Sequence, residues 1–224
     1  MTTKMRKDLK EFLLEGAGVL GVALTEEKVK AFGFLLHELM KWNRKMNLTS
    51  IKDPFEIVVK HFLDSLAVSP HLPPGSSLLD VGSGAGFPCI VLKIYDQSLK
   101  VTSIDSSRKK ISFQRHLIRQ LRLEGIDAVH AHLPDPGVVG KCNKSFDYAI
   151  SRASGNLESF LRIARPYIKD TGIIIAMKGK MGVKEALNNI TVTRLNMRLQ
   201  RAVSFTLPFI DVNRTLLFFA GKES

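Results

Sequence analysis

Leu78-Leu79-Asp80-Val81-Gly82-Ser83-Gly84-Ala85-Gly86-Phe87-Pro88 reads as a short apolar strand, a glycine turn and the start of a helix. At such a junction, backbone N–H groups can approach a ligand closely at the helix N-terminus. Outward from it the chain alternates short apolar runs with helical stretches. The runs that read as strands are 77–81, 101–105, 128–131, 146–151 and 172–177, with helices expected over 88–95, 107–122 and 156–168. This is the alternation of a doubly wound parallel sheet. Two later strands, 197–207 and 215–220, have no helix-length segment between them and are expected to pair as an antiparallel hairpin. The expected fold class is therefore α/β, with a seven-stranded, mostly parallel sheet ending in an antiparallel hairpin. Pro70, Pro73, Pro74 and Gly75 punctuate the chain before the first strand, which divides it into an N-terminal helical extension, 1–74, and a domain over 75–224.

The glycines Gly82, Gly84 and Gly86 follow a G-x-G-x-G spacing, not the dinucleotide G-x-G-x-x-G, and Asp80 precedes the first of them by two residues. An anionic group there would repel a pyrophosphate but suits a cofactor that carries an ammonium group, which argues for S-adenosylmethionine over NAD. Asp105 ends the next strand, where a carboxylate can accept hydrogen bonds from ribose hydroxyls; it could equally cap the following helix, and the two roles are compatible. Together, Asp80, the three glycines, Asp105 and the terminal hairpin resemble the Rossmann-like S-adenosylmethionine-dependent methyltransferases over residues 75–224.

Composition sets the partners. Lys and Arg number 33 against 21 Asp and Glu, a formal charge of +12 that favours a polyanion. Phosphate contacts are expected from Lys41, Arg44, Lys45, Arg108, Lys109 and Arg115. Cys89 and Cys142 show no metal or redox spacing, so no metal site is expected and both read as unpaired thiols of a reducing compartment. Lys4, Arg6 and Lys7 before the apolar run 12–24 superficially resemble a signal peptide. Asp8, Lys10, Glu11 and Glu15 oppose that reading. No stretch reaches the roughly 18 apolar residues of a membrane helix, so a cytoplasmic protein without a membrane segment is expected, as a monomer.

The extension begins with an amphipathic helix from Thr25, built on Val29, Phe32, Leu36, Leu39 and Met40. A second helix starts at Asp53-Pro54-Phe55-Glu56, which has the form of a cap, a first-position proline and a capping box. Its apolar side is Val59, Phe62, Leu63 and Leu66. At 100° per residue, His61, Asp64 and Ser65 share the other side, as a solvated face or as the rim of a site.

The methyl acceptor is narrowed by what the sequence lacks. The Asp/Asn-Pro-Pro-aromatic motif of exocyclic amine acceptors is missing after the fourth strand, which reads Ile150-Ser151-Arg152-Ala153-Ser154. Cys89 lies beside the glycine loop, not where a nucleophile for pyrimidine C5 would be needed, and reads as packing. A ring nitrogen such as guanine N7 has a lone pair and no proton to lose, so it needs positioning groups and no base. Arg152 and Lys178, at the ends of adjacent strands, can supply them. At this point Lys41-Trp42-Asn43, Asn47-Leu48-Thr49, 61–66, 80–88, Ser151-Arg152-Ala153 and Met177-Lys178-Gly179 closely resemble the bacterial RsmG (GidB) family of 16S ribosomal RNA guanine-N7 methyltransferases, over nearly the whole chain.

The resemblance implies methyl transfer from S-adenosylmethionine to a guanine in the decoding-region loop of 16S rRNA, free or in the small subunit. It implies His61, Asp64, Arg152 and Lys178 at the reacting centre, and Gly82, Phe87 and Arg152 on the cofactor. Asn47 and Ser65, with Lys45 and Lys109, are expected on the RNA. Relatives commonly carry Ala-Glu near the adenine where this chain has Leu133-Pro134. Backbone groups of Leu133 can still meet the adenine, but Pro134 has no N–H and replaces no acid; Asp135 is the nearest substitute. An RNA-binding or ribosome-assembly protein that kept the fold and lost catalysis is the alternative from another class.

Overall fold

The computed structural model describes residues 5–135, 137, 144–152, 156–179, 192 and 194–221. Seven strands, β1 (Ser77–Val81), β2 (Lys100–Asp105), β3 (Ile126–His130), β4 (Phe146–Ser151), β5 (Ile168–Gly179), β6 (Met197–Thr206) and β7 (Asn213–Gly221), form one sheet in the order β3-β2-β1-β4-β5-β7-β6. The first five run parallel; β7 is antiparallel to both β5 and β6. The expected hairpin is therefore present, with β7 inserted between β5 and β6. The order turns back at β1 and β4, the switch point where open α/β sheets bind ligands beyond the strands' C-terminal ends. Asp80 and Arg152 both sit there.

Central strands are buried on both faces, which is why Leu78, Leu79, Ala149, Ile150, Ile174 and Ile175 all lie at 0 % exposure. Helix Leu157–Ala164 starts where Asn156 Oδ1 accepts the N–H groups of Glu158 and Ser159 at 2.8 and 3.4 Å. The helical expectation over 156–168 fails at its end. Pro166 lies in the tighter turn Arg165–Tyr167, and the chain then enters β5 four residues earlier than expected.

Helices α1 (Lys7–Val19) and α2 (Glu26–Met46) precede the sheet, α2 capped by Thr25 Oγ1 on Lys28 N–H. Residues on both sides of 74 share one hydrophobic cluster, including Leu13, Phe32, Leu39, Phe62, Leu78, Ile90 and Phe218. A polar weld sits beside it. Glu38, 5 % exposed, meets His116 Nε2 at 2.6 Å, and Trp42 packs on the rings of Phe113 and His116. Burial raises the Glu38 carboxyl, but the hydrogen bond from His116 and the charge of Lys41 outweigh it and leave the group below its ordinary 4.5. A depressed carboxyl stabilises the fold above its unfolded pKa, and that contribution is lost as pH falls through the folded value. Glu38→Ala should cost about 1–3 kcal/mol near pH 7, with the gap to wild type closing below about pH 4.5 in urea titrations.

The segment 53–66 departs from its sequence reading. Asp53 Oδ1 caps Glu56 N–H at 2.9 Å with Pro54 in the first turn, as expected, but the Glu56 carboxylate pairs with Lys60. From Val58 to Leu63 the helix widens to π geometry before Asp64–Leu66 returns to α. The 100° spacing therefore does not hold. His61, Asp64 and Ser65 are 5 %, 2 % and 0 % exposed, which rules out the solvated face. His61 meets Arg152 just after β4, Asp64 meets Arg214 of β7, and Ser65 turns back onto His61 O of its own helix.

Candidate active site

The glycine turn is anchored by Gly82 and Ser83 N–H groups on Ile104 O at 2.8 and 3.2 Å. Gly82 and Gly84 have φ of +69° and +60°, and a Cβ on either would meet nothing within 4 Å. The turn thus presents open backbone at the switch point. Beneath it lie three buried polar side chains: Gln114 Nε2 donates to Ser83 Oγ and Gly84 O, both at 2.8 Å, while the Ser103 hydroxyl bridges Ser83 Oγ and Gln114 Oε1. Sequence reading missed this brace. Its signal was a glutamine in the apolar stripe Ile111, Phe113, Leu117 of helix Arg108–Gln120.

Asp80 is 0 % exposed; its Oδ2 accepts Cys89 N–H at 3.1 Å, while Oδ1 is buried without a hydrogen-bond partner among the described residues. Burial pushes this carboxyl up to about 7, against the pull of Cys89 N–H and the Arg152 charge. A buried lone carboxylate oxygen beside open glycine backbone fits a cationic ligand group. Asp105 accepts Gly84 N–H on Oδ2 and Ser107 N–H on Oδ1, both at 2.8 Å, so it orders the turn and the following helix start while keeping lone pairs for hydroxyl donors. The Cys89 thiol is fully buried and burial raises its pKa well above normal, which makes it inert packing. Cys142 and the Ala153-Ser154 part of the motif after β4 lie outside the described residues.

Arg152 follows β4 directly. Its Nη1 reaches His61 Nδ1 at 2.9 Å and Lys60 O at 3.1 Å, and its guanidinium lies 5.4 Å from the Phe87 ring centre. His61 stacks on Phe87 at 4.5 Å with 12° between the rings. Arg cannot accept a hydrogen bond, so Nδ1 is the lone-pair nitrogen and Nε2–H donates to Thr49 Oγ1 at 3.0 Å. Burial first, then the Arg152 charge, drives the His61 pKa down to about 3. His61 is neutral with both nitrogens engaged and has no lone pair left for a base. Thr49 N–H in turn donates to Asn43 Oδ1 at 3.0 Å, so a hydrogen-bonded line runs from α2 to Arg152.

A cleft of about 350 Å3 opens beside this line, walled by Ile51, Lys60, His61, Asp64, Arg152, Met177, Lys178, Gly179 and Arg214. Arg214 Nε donates to the buried Asp64 Oδ1 at 3.2 Å. Burial raises the Asp64 carboxyl, opposed by Arg214 and Arg152. Arg214 was not legible in the sequence, since only the antiparallel register Gly179↔Arg214 brings it beside Lys178. The structure therefore gathers His61, Asp64, Arg152 and Lys178 around one cleft, and Asp80, Gly82, Gly84, Gly86 and Asp105 around the adjoining turn. Phe87 is 3 % exposed with its ring turned to His61. Leu133 is half-buried against a core cluster that includes Leu79, Ile104 and Phe160, and Pro134 is exposed. Asp135 Oδ1 accepts Gly137 N–H at 2.8 Å. Ser65, expected on the RNA, is fully buried, and its hydroxyl donates to His61 O at 2.6 Å. Asn47, Lys45 and Lys109 are exposed, the first as the left-handed cap of α2.

Residues 28–217 match the family model described as rRNA small subunit methyltransferase G. The chain belongs to that family. A ribosomal RNA small subunit methyltransferase G of Geobacter metallireducens is 39 % identical over 220 residues, covering 98 % of this chain and 99 % of that one. One of Acetivibrio thermocellus is 36 % identical over 210 residues, covering 93 % and 87 %. Among solved structures, a SAM dependent methyltransferase from Aquifex aeolicus superposes with a TM-score of 0.57 at 16 % identity, covering 77 % of this chain and 96 % of that one, a likeness of fold. The methyltransferase fold and family read from the glycine turn, Asp105 and the N-terminal motifs are those found. Among the described residues no helix is long and apolar enough to cross a membrane.

Proposed function

We propose that this protein transfers the methyl group of S-adenosylmethionine to N7 of a guanine in the decoding-region loop of 16S rRNA, in the cytoplasm, as a monomer and without a metal. The observation that carries this reading is the position of Arg152: its charge acts on Asp80 in the glycine turn and on Asp64 in the cleft, and it is locked between Lys60 O and His61. One residue spans a cofactor cradle and an acceptor cleft.

S-adenosylmethionine, when bound, supplies an electrophilic methyl group and its own leaving group. Asp80 Oδ1 offers its unpaired charge to the ammonium end, the open backbone of Gly82 and Gly84 faces the amino acid portion, and Asp105 receives ribose hydroxyls. Phe87 acts through His61 and Arg152, as a stacking support. In the cleft Arg152, Lys178 and Arg214 hold the guanine and its phosphate by charge, with Asp64 fixing Arg214. Asn47, Lys45 and Lys109 serve the flanking RNA. Guanine N7 attacks with its own lone pair, so the neutral, fully bonded His61 has a positioning task.

It follows that the single-turnover rate, measured with both substrates saturating, should change less than about threefold from pH 6.5 to 8.5. A bell-shaped profile in that saturated rate would point to a general base and a different acceptor atom. The altered adenine position at Leu133-Pro134 favours the second reading, an RNA-binding protein without catalysis, and titration calorimetry separates the two: absence of S-adenosylmethionine binding would support it.

A further inference from the structure

Next to the acceptor cleft lies a second cleft of about 350 Å3, lined by Met40, Asn43, Arg44, Asn47, Lys52 and Ile57. The last turns of α2 supply Met40, Asn43 and Arg44, and the loop after it supplies Asn47 and Lys52. The two clefts adjoin along the loop after α2, where Ile51 lines the acceptor cleft and its chain neighbour Lys52 lines the second. Loop position is fixed by Thr49, which bonds Asn43 on one side and His61 on the other.

The lining has a definite chemistry. Met40 and Ile57 give an apolar floor, and Arg44 and Lys52 are exposed on its rim with no acid in ion-pair contact among the described residues. Asn47, held at φ 47° with its N–H on Asn43 O, keeps its side-chain amide at the surface. A helix C-terminus is the negative end of its dipole, so any anion here is held by the two side-chain cations. A single-stranded nucleotide is recognised through a face for its base, cations for its phosphate and hydrogen-bonding groups for its edge; here the face is aliphatic, and the cations and the amide surround it.

We propose that this second cleft is a subsite for the nucleotide adjoining the target guanine in a single-stranded segment of ribosomal RNA. The base lies on Met40 and Ile57, its phosphate bridges Arg44 and Lys52, and Asn47 reaches the base edge or ribose. The inference rests on the proposed RNA methylation and deepens it, because a guanine turned out into the acceptor cleft stays linked to its neighbour and carries it to the adjoining cleft.

The test uses the full chain, purified small-subunit rRNA and S-adenosylmethionine. It compares wild type with Arg44→Ala/Lys52→Ala and with a control pair, Lys100→Ala/Arg119→Ala. The control removes the same charge from exposed positions that open β2 and close helix Arg108–Gln120, at the opposite end of the sheet. The subsite pair should raise KM for RNA about tenfold and lower the magnitude of the salt slope of RNA binding by about 0.7, the worth of the one single-strand phosphate that the two cations share. The turnover number, S-adenosylmethionine affinity and melting temperature should stay at wild-type values, and the control pair should keep the wild-type slope. An unchanged KM and slope in the subsite pair, or an equal loss in the control pair, would overturn the subsite. RNA binding is read without methyl transfer, so a wild type that binds rRNA but never methylates it would sink the functional proposal while the slopes still decide the subsite.

Discussion

Replacing Arg152 with alanine is expected to lower the saturated methylation rate by about 10²–10³-fold, the usual loss when one preorganised charge-stabilising donor is removed from a reacting centre. The loss should fall on turnover more than on rRNA affinity, because Arg152 meets His61 and Lys60 O inside the cleft and is not part of the exposed basic surface. Lysine should rescue little. Arg152 Nη1 donates to both His61 Nδ1 and Lys60 O while the guanidinium carbon lies 5.4 Å from the Phe87 ring centre, and the compact, strongly hydrated ammonium of a lysine on its flexible stem does not reproduce that planar, weakly hydrated group against the ring. A variant with near-normal turnover and a native melting curve would remove Arg152 from the centre. Alanine at Lys178 should also cut turnover strongly.

Asp80→Asn should weaken S-adenosylmethionine binding by about 10- to 100-fold, the worth of one buried charge-assisted hydrogen bond, in a protein that still folds. The wild type carries a pH signature of the same interaction. Burial holds the Asp80 carboxyl up to about 7 in the free protein. Only its ionised form can pair with an ammonium. Affinity should therefore be level above pH 7 and fall as pH drops below it, approaching tenfold per unit, while Asp80→Asn shows no such dependence. Calorimetry from pH 5.5 to 8.5 reads this directly, and an affinity flat across that range would contradict the role assigned to Asp80.

The parts of the fold that were legible from sequence share a cause. Strands β1 and β4 were read with their exact ends because both are short runs of apolar residues closed by a glycine or a charged residue that breaks the pattern. The edges of β3 and β5 were not, because Ile126 and Ile168 to Asp170 gain their strand conformation from neighbours in the sheet and from Pro166, not from local preference. Segment 53–66 was legible at its cap and misleading in its middle, since π geometry depends on what the helix packs against. In the site, Asp80, Asp105 and the glycines declare themselves by spacing along one strand-turn-helix. Arg214 and Gln114 do not. Arg214 reaches Asp64 across 150 positions, through a register that no local pattern encodes, and Gln114 is a polar residue in an otherwise apolar stripe whose partners Ser83 and Ser103 come from two other segments. The Thr49–His61–Arg152 line likewise joins three elements, although each member stood inside a motif that was read.

The central claim is methyl transfer to guanine N7 of small-subunit rRNA. Its most direct test is to incubate the protein with methyl-labelled S-adenosylmethionine and small-subunit rRNA from cells lacking it, digest the RNA to nucleosides and identify the labelled product by mass. The expected product is a single labelled nucleoside, 7-methylguanosine, traced by fragment mapping to one position in the decoding-region loop and absent with Arg152→Ala. Label on an exocyclic amine, a ribose oxygen or a pyrimidine carbon, or no label in RNA from a protein that binds the cofactor, would contradict it.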